Sequence, residues 1–316
     1  MQWNKKQIVT AIRPFSLEGE AELTKMEQEY CFFYGIDFYR TLPGVTQRLG
    51  FFSSLGFKVV MHYFSPSDAK GTVLVMHGYF DHVGLYRHLI RFLLQKGYAV
   101  VCYDQPGHGL SSGDEAAIKS FAHYQAVLND CLNIVKSNLV QPLHAIGQST
   151  GAAVLIDYYL AFGLDQDSGA FDRVILLAPL VRPVGWKAAL RLHALLRPFF
   201  TTWKRDLRKN TGDSQFLRFL HHIDPLQSKT ISVAWVTSLK RWIPRIESSA
   251  PVDMELTVIQ GEEDGTVDWR HNLIVLNRKF RKTQVYYLPK AEHHLVNESP
   301  EIREKMLDII KRVFDA

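Results

Sequence analysis

The sequence predicts an α/β fold, in which a mostly parallel sheet carries helices on both faces and a helical segment is inserted into the chain. Three observations lead to this fold class. Apolar runs alternate with helical patterns between residues 71 and 179, as in successive β-α-β units. The alternation stops after Pro179 and resumes at Met254. The length of 316 residues suits one large domain with an insertion better than several small domains.

Each element is predicted from its own apolar pattern. The stretch RLGFFSSLGFKVVMHYF predicts two antiparallel strands joined by a tight turn at Ser54 to Gly56. Further strands are predicted at GTVLVMHG, YAVVCYDQPGHG, LHAIG, FDRVILLAP, MELTVIQG and TQVYYLP. Helices are predicted at YRHLIRFLLQKG, at FAHYQAVLNDCLNIVKSN, after Ser149, at HNLIVLNRKF and from Pro300 to Phe314.

Residues 180–246 are predicted to form a helical cap, or lid, between a first core segment, 1–179, and a second, 247–316. The cap is aromatic and basic, and no strand is predicted in it. Between Val181 and Arg245, thirteen Lys or Arg accompany three Asp, so this segment carries +10 while the whole chain carries +5. Two interpretations stay open. Aromatic and basic residues line an acyl groove and attract anionic lipid, or they form a solvated basic surface over packed helices.

The composition excludes several classes of protein. Hydrophobic residues (47%) and charged residues (22%) are typical of a globular chain rather than a disordered one. No apolar run reaches the roughly 18 residues of a membrane span, and MQWNKKQIVTAIRPFSLEGE lacks a signal-peptide core. The three widely spaced cysteines, Cys31, Cys102 and Cys131, indicate no disulfide framework or zinc knuckle. We therefore expect a cytoplasmic protein, with peripheral contact to the inner face of a membrane through the basic cap.

The stretch LHAIGQSTGAAVLIDYYL, residues 143–160, places a serine where a strand turns into a helix. Such a sharp turn holds the corner residue in a strained conformation, with its side chain clear of both elements. Gly147 and Gly151 flank Ser149 at positions where a β-carbon would collide with the crossing strand and helix. The stretch therefore reads as a GxSxG nucleophile elbow, although an ordinary strand-to-helix connection is the alternative.

A serine attacks only if a base takes its proton and a third group holds that base. Asp264 follows the strand MELTVIQG, and His293 follows TQVYYLP. With Ser149, both lie beyond the carboxyl ends of predicted parallel strands, where open α/β sheets form their sites. Asp268 is a competing acid that is better suited to cap the next helix, and His294 is a competing base. Four other histidines are expected to face the surface or to satisfy local hydrogen bonds: His62, His123, His144 and His193.

The tetrahedral intermediate of acyl transfer carries an oxyanion that needs backbone N–H donors. One candidate donor is Thr150, at the start of the helix after the serine. The other is Tyr79, in the loop VLVMHGYFDH, where Gly78 allows the backbone to approach closely. An ordinary turn is the alternative for this loop.

Other kinds of site lack support in the sequence. The glycines of CYDQPGHGLSSG are spaced GxGxxxG, which is a poor match to a dinucleotide-binding loop, and neither GxxxxGK[ST] nor HExxH is present. The sequence pI near 9.0 raises the idea of nucleic-acid binding. However, the excess positive charge is confined to the cap and no recognition motif accompanies it. We expect no metal, no organic cofactor and no nucleic-acid partner.

Four stretches together resemble the α/β-hydrolase superfamily, and more narrowly its monoacylglycerol lipase and lysophospholipase branch. They are HGYFDHVGLYRHLIRFLLQKGYAVVCYDQPGHGLSSG, IGQSTGA, GEEDGTVD and AEHHLVNE. The resemblance runs from about residue 50 to the end, apart from the cap. It departs from the family pattern HGxxEH at Asp81, which replaces the usual Glu, and at Tyr79 and Phe80, whose positions are often small. It implies that Ser149 is the nucleophile, Asp264 the acid and His293 the base, with His294 at a variable position.

The resemblance implies the α/β-hydrolase fold and a serine hydrolase that cleaves a single-chain lipid ester, a lysophospholipid or a monoacylglycerol, through an acyl-enzyme. One alternative is a non-lipid carboxylesterase or an aminopeptidase-like hydrolase. An alternative of another class is a catalytically silent protein that binds a ligand or partner on the same fold. If the cap meets an anionic membrane, glutamine at Lys204, Arg205, Arg208 and Lys209 should weaken that contact without lowering hydrolysis of a short soluble ester.

Overall fold

The computed structural model describes residues 3–19, 22–136, 138–205 and 209–315. Its main sheet has eight strands in the order β1-β2-β4-β3-β5-β6-β9-β10, and a smaller sheet pairs β7 with β8. The strands are β1 Val45–Ser54, β2 Phe57–Pro66, β3 Thr72–Met76, β4 Ala99–Tyr103, β5 Leu143–Gln148, β6 Val174–Leu177, β7 Thr202–Lys204, β8 Thr230–Ser232, β9 Val252–Gly261 and β10 Phe280–Leu288.

Helices cover both faces of the main sheet. They are α1 Lys5–Ala11, α2 Lys25–Tyr34, α3 Phe38–Thr41, α4 Arg87–Gln95, α5 Phe121–Val135, α6 Thr150–Phe162, α7 Trp186–Leu196, α8 Ser214–His222, α9 Val233–Ser248, α10 Trp269–Lys279 and α11 Pro300–Asp315. Short 3₁₀ turns lie at Val83–Tyr86 and Leu295–Asn297. Within the described ranges, no helix is both long and apolar enough to cross a membrane.

The main sheet is mostly parallel, as the sequence predicts. Six strands run parallel, namely β4, β3, β5, β6, β9 and β10. The remaining two form an antiparallel hairpin at one edge, whose predicted turn contains Leu55 and Gly56 with φ of 48° and 81°. Because parallel strands end at the same edge of a sheet, the loops after β3, β5, β9 and β10 meet there.

Side chains of each central strand alternate between two cores. In β3, Val73 and Val75 pack into the core that includes α4 and α11, whereas Leu74 and Met76 pack into the core that includes α5 and α6. Every residue of β3 is buried. This pattern is typical of a parallel sheet with both faces covered, and it explains why the strand reads as a continuous apolar run.

The described residues between 180 and 246 lie outside the main sheet and contain α7, α8 and most of α9. The expectation that this segment lacks strands is wrong, because β7 and β8 pair antiparallel from Thr202 opposite Ser232 to Lys204 opposite Thr230. Three-residue strands are too short to show a period-two pattern in the sequence. The buried residues Leu239 and Trp242 of α9 join the core beside α5 and α6. The division at 180 and 246 stays a prediction.

Three of the four histidines expected at the surface or in local hydrogen bonds are buried. His193 is hydrogen-bonded through Nε2, which lies 2.7 Å from Thr237 Oγ1. His144 packs on the ring of Phe314. His62 departs most from the expectation, since it is fully buried and neither ring nitrogen has a described hydrogen-bond partner. Burial lowers its pKa to about 3, which keeps the ring neutral and compatible with the apolar core.

Candidate active site

Ser149 occupies the corner between β5 and α6. Its backbone conformation, with φ 53° and ψ −108°, is one that residues other than glycine rarely adopt. Small neighbours make this corner possible. A β-carbon on Gly151 would lie 2.3 Å from the carbonyl oxygen of Met76, and one on Gly147 would lie 2.6 Å from the backbone nitrogen of Ala152. Both glycines are therefore required by close backbone approach, as the elbow pattern predicts.

The loops after β5, β9 and β10 bring a serine, an aspartate and a histidine into one hydrogen-bonded chain. Ser149 Oγ lies 3.0 Å from His293 Nε2, and His293 Nδ1 lies 2.8 Å from Asp264 Oδ2. Asp264 Oδ1 accepts from the backbone N–H groups of Thr266 (2.8 Å) and Val267 (3.1 Å). The carboxylate is thus fixed on one side by the backbone and on the other by the imidazole.

The charges at this site suit a general base. Burial alone would lower the pKa of His293, but the charge of Asp264 and its hydrogen bond outweigh burial and raise that pKa above its ordinary value. Burial raises the pKa of Asp264, yet His293 and the two backbone donors together hold it below its ordinary value. Asp264 therefore stays ionised and accepts from Nδ1–H. When the ring is neutral, Nε2 is left to accept the proton of Ser149.

The competing residues serve other purposes. Asp268 caps α10 by accepting from the N–H of His271, and its carboxylate lies 2.7 Å from the guanidinium of Arg182. His294 Nε2 lies 3.1 Å from Asp81 Oδ1 instead of facing Ser149. The structure therefore brings together the serine, acid and histidine favoured by the sequence, and it pairs Asp268 with Arg182 and His294 with Asp81.

Both candidate oxyanion donors belong to segments beside Ser149: Thr150 is the next residue, and a β-carbon on Gly78 would lie 3.3 Å from Ser149 Cβ. Thr150 N–H opens α6, and Tyr79 N–H lies in the loop after β3; neither donates to an acceptor among the described residues. The loop is held tightly. Gly78 N–H donates to Asp81 Oδ2 (3.2 Å) and Tyr86 Oη (3.0 Å), and the Tyr86 hydroxyl donates to the same carboxylate oxygen (2.9 Å). Phe80 has φ 71°, which is unusual for a bulky residue and marks a constrained loop.

His77 fixes the peptide unit that carries the Tyr79 N–H, a role that sequence reasoning missed. The N–H of Gln105 donates to His77 Nε2 (2.8 Å), so the ring proton resides on Nδ1 and is donated to the carbonyl of Gly78 (2.7 Å). That carbonyl and the Tyr79 N–H belong to one peptide plane. Burial, with a smaller effect of His108, lowers the pKa of His77 to about 3 and keeps this tautomer neutral. A histidine-glycine pair is too common in turns to signal this role.

A small polar pocket of about 20 Å³ lies over the serine, between the core and the cap. The cap lines it with Arg205, Asn210, Leu220 and Gln227, and the core lines it with Gly78, Tyr79, Asp81, Gln148, Ser149, His293 and His294. Among the described cap residues, no aromatic side chain lines this cavity, and the acyl-groove interpretation stays a prediction. Trp235 instead stacks on Tyr79, with the two ring centroids 3.8 Å apart. Phe216 and Phe219 line a second cavity of about 300 Å³ near α2 and α4.

A short stretch of the cap is hydrogen-bonded to the loop that carries His293. The N–H of His294 donates to the carbonyl of Asn210 (2.8 Å), and Thr211 Oγ1 donates to the carbonyl of Asn297 (2.7 Å). Gly212 N–H donates to the buried carboxylate of Glu298 (2.8 Å). The position of the histidine loop is therefore coupled to the cap. In the part of the chain that the structure describes, no three His, Cys, Asp or Glu are grouped as metal ligands.

Comparison with known proteins places the chain in a family. A family model described as Hydrolase_4: Serine aminopeptidase, S33 matches residues 67–300. Monoglyceride lipase of Rattus norvegicus is 23% identical over 259 residues, covering 78% of this chain and 82% of its own length. The human monoglyceride lipase is 25% identical over 252 residues, covering 76% of this chain and 81% of its own.

A solved structure establishes the fold. The monoacylglycerol lipase of Paleococcus ferrophilus superposes with a TM-score of 0.69 at 18% identity, covering 81% of this chain and 98% of that one. The eight-stranded, mostly parallel sheet with helices on both faces is therefore an α/β-hydrolase fold, and the fold class predicted from the sequence is confirmed.

Proposed function

The chain belongs to the serine aminopeptidase S33 family of α/β hydrolases, and on that basis we propose that it cleaves the acyl ester of a single-chain lipid, a lysophospholipid or a monoacylglycerol. The observation that carries this proposal is the hydrogen-bonded chain from Ser149 through His293 to Asp264. Relatives that match about three quarters of the chain include monoglyceride lipases by name, which favours a lipid ester over a peptide.

In the acylation step, His293 Nε2 takes the proton of Ser149 as Oγ attacks the ester carbonyl carbon. The carbonyl oxygen becomes an oxyanion that accepts hydrogen bonds from the N–H groups of Tyr79 and Thr150. The bond from the carbonyl carbon to the glycerol oxygen then breaks, and the imidazolium returns its proton to the departing alcohol. Each oxyanion donor of this kind contributes about 10²- to 10³-fold to kcat.

In the deacylation step, water takes the place of the alcohol. His293 removes a proton from that water, whose oxygen attacks the acyl-enzyme carbonyl and forms a second oxyanion in the same position. The bond to Ser149 Oγ breaks, Oγ regains its proton from the imidazolium, and the fatty acid leaves. Throughout both steps Asp264 keeps the imidazole oriented and stabilises its charged form.

The cap offers a surface that fits peripheral contact with lipid. Four apolar side chains at and after α7 are exposed: Leu192 (46%), Leu195 (67%), Phe199 (78%) and Phe200 (54%). The exposed basic residues Lys187, Arg191 and Arg197 lie in the same segment. Exposed apolar residues rimmed by positive charge are typical of surfaces that meet anionic membranes. We propose that this surface, here called the α7 surface, meets the lipid that contains the substrate.

Turnover on a matched substrate panel tests the proposed function. The panel contains lysophospholipids and monoacylglycerols with one acyl chain, short p-nitrophenyl esters and aminoacyl p-nitroanilides, each with wild type and Ser149→Ala. We expect the long-chain monoacyl lipids to give the highest kcat/KM, with loss of turnover in Ser149→Ala. Turnover confined to short esters would favour a non-lipid carboxylesterase, and turnover of the anilides would favour an aminopeptidase. No turnover of any substrate would favour a silent binding protein.

A further inference from the structure

Arg205 brings a positive charge from the cap into the cavity that contains Ser149 and His293. It follows β7 directly, and its backbone N–H donates to the carbonyl of Lys229 (3.0 Å). Its Nη1 donates to the carbonyl of Ser228 (3.4 Å), and its guanidinium carbon lies 3.8 Å from the ring centroid of Phe80. The guanidinium is therefore held against the same loop that carries the Tyr79 N–H.

Asp81 is the carboxylate among the described residues that line this cavity, and both of its oxygens already have partners. Asp81 Oδ1 pairs with His294, and Oδ2 accepts from Gly78 and Tyr86. This carboxylate raises the pKa of Arg205, but burial has the larger effect and lowers that pKa to about 10. The guanidinium is still fully charged at neutral pH.

Neutral polar groups accompany this charge. Gln227 and Asn210 also reach the cavity from the cap, and Gln227 is only 7% exposed. Its Oε1 has no hydrogen-bond partner in the described part of the chain. A cavity built for an acyl chain alone would be lined by apolar side chains, because buried polar groups without partners are costly. Among the described cap residues that line this cavity, the apolar one is Leu220.

We propose that Arg205 is a specificity-determining residue that binds the phosphate of a lysophospholipid while the ester carbonyl lies at Ser149. This inference rests on the proposed function and names the substrate class within it: a phosphate-bearing monoacyl lipid in preference to a neutral monoacylglycerol. The planar guanidinium forms paired, charge-assisted hydrogen bonds with phosphate oxygens. Gln227 and Asn210 add neutral hydrogen bonds to the rest of the head group.

The test compares lysophosphatidic acid with a monoacylglycerol of the same acyl chain, in identical detergent micelles. We expect Arg205→Gln to lower the ratio of their kcat/KM values about 10- to 100-fold, as for loss of a charged hydrogen bond, mainly through the KM of lysophosphatidic acid. Arg205→Lys should be intermediate, because it keeps the charge but loses the planar fork. Lys204→Gln, at the exposed neighbouring position, is the matched control and should leave the ratio within twofold (about 0.4 kcal/mol).

Soluble inhibitors separate a lipid head group from free phosphate. We expect glycerol 3-phosphate to inhibit monoacylglycerol hydrolysis by the wild type more strongly than inorganic phosphate does, and both to inhibit Arg205→Gln more weakly. Equal inhibition by the two anions, or an equal loss of kcat/KM on both lipids in Arg205→Gln, would overturn the inference while Ser149-dependent lipid hydrolysis stands. Absence of Ser149-dependent hydrolysis of either lipid would overturn the proposed function and this inference with it.

Discussion

Single residues fix the peptide plane between Gly78 and Tyr79. His77 donates to its carbonyl, while the preceding N–H of Gly78 donates to Asp81 and Tyr86. The Tyr79 N–H therefore points in a set direction before any substrate binds. Such preorganised donors stabilise an oxyanion without having to reorganise during the reaction.

Removing the ring of His77 tests this orientation. We expect His77→Ala to lower kcat about 10²- to 10³-fold, comparable to loss of an oxyanion donor, with a smaller change in KM. His77→Asn should recover part of the loss, because an amide N–H can replace Nδ1–H. Thermal unfolding of both variants separates a folding defect from a catalytic one. A folded His77→Ala enzyme with wild-type kcat would show that the peptide is oriented without the imidazole.

The two adjacent histidines differ in what they contact. His293 reaches both Ser149 and Asp264, so we expect His293→Ala to lower turnover about 10⁴-fold or more. His294 pairs with Asp81, so His294→Ala should leave substantial activity. Steady-state kinetics on a short soluble ester measures both. If His294→Ala is the inactive variant, the assignment of the base is wrong.

The pH dependence of the reaction follows from the raised pKa of His293. The base must be neutral to accept a proton, so kcat/KM should fall as the pH decreases through a pKa that lies above the ordinary histidine value. Asp264→Asn removes the main cause of the rise, so the surviving activity should fall at a lower pH than in the wild type. The pH profile on a soluble ester measures both midpoints. An unchanged midpoint in Asp264→Asn would contradict this electrostatic account.

At the level of secondary-structure elements, the basic residues of the cap lie in two places. Those on and just after α7 are exposed at the surface, whereas the described ones just after β7 lie near the catalytic site. Arg205, after β7, faces the catalytic cavity, and Lys209 lies 2.5 Å from Glu292 on the histidine loop. Arg208 falls outside the described residues. The four-residue substitution suggested by the sequence would therefore change the catalytic cavity as well as the surface. The expectation that it spares hydrolysis of a short soluble ester stays a prediction, and it agrees with a phosphate-binding role for Arg205, because such an ester carries no phosphate.

Substitutions on α7 give a cleaner test of membrane contact. We expect the protein to sediment more with anionic than with neutral vesicles and to be released by salt. Each Lys or Arg near the membrane contributes about 1 kcal/mol to binding. Salt screens this attraction beyond roughly 10 Å. Glutamine at Lys187, Arg191 and Arg197 should weaken this binding without lowering hydrolysis of a short soluble ester.

The matched control for the α7 surface removes three exposed charges from the core. Glutamine at Lys96, Arg278 and Lys311 changes the net charge equally, and all three side chains are exposed. We expect this variant to sediment like the wild type. Equal sedimentation of wild type with neutral and anionic vesicles, or equal losses in both triple variants, would reject the α7 surface as a membrane contact.

At the level of the whole molecule, the features that could be predicted from the sequence are those that depend on a local pattern of residues. The fully buried β3 reads as an apolar run, and the glycines around Ser149 are specified by the sharp turn itself. The aspartate and histidine follow from the rule that sites form at the carboxyl ends of parallel strands.

Features that depend on contacts between distant segments could not be predicted. The pair of His294 and Asp81 joins residues 213 positions apart, and the direction of Arg205 is set by its contacts with Phe80 and Ser228. The burial of His62 likewise depends on packing from elements far away in the sequence. Local periodicity contains no information about such contacts, and strands as short as β7 and β8 have no detectable period.

Labelling by an active-site phosphonate tests the central claim most directly, because only a serine coupled to a base is nucleophilic enough to react near neutral pH. The reagent is added to the folded protein, and the modified peptide is identified by mass spectrometry. We expect a single modified serine, Ser149, and no labelling in Ser149→Ala or in the unfolded wild type. A label on a different serine, or one that persists in Ser149→Ala, would contradict the assignment of Ser149 as the nucleophile.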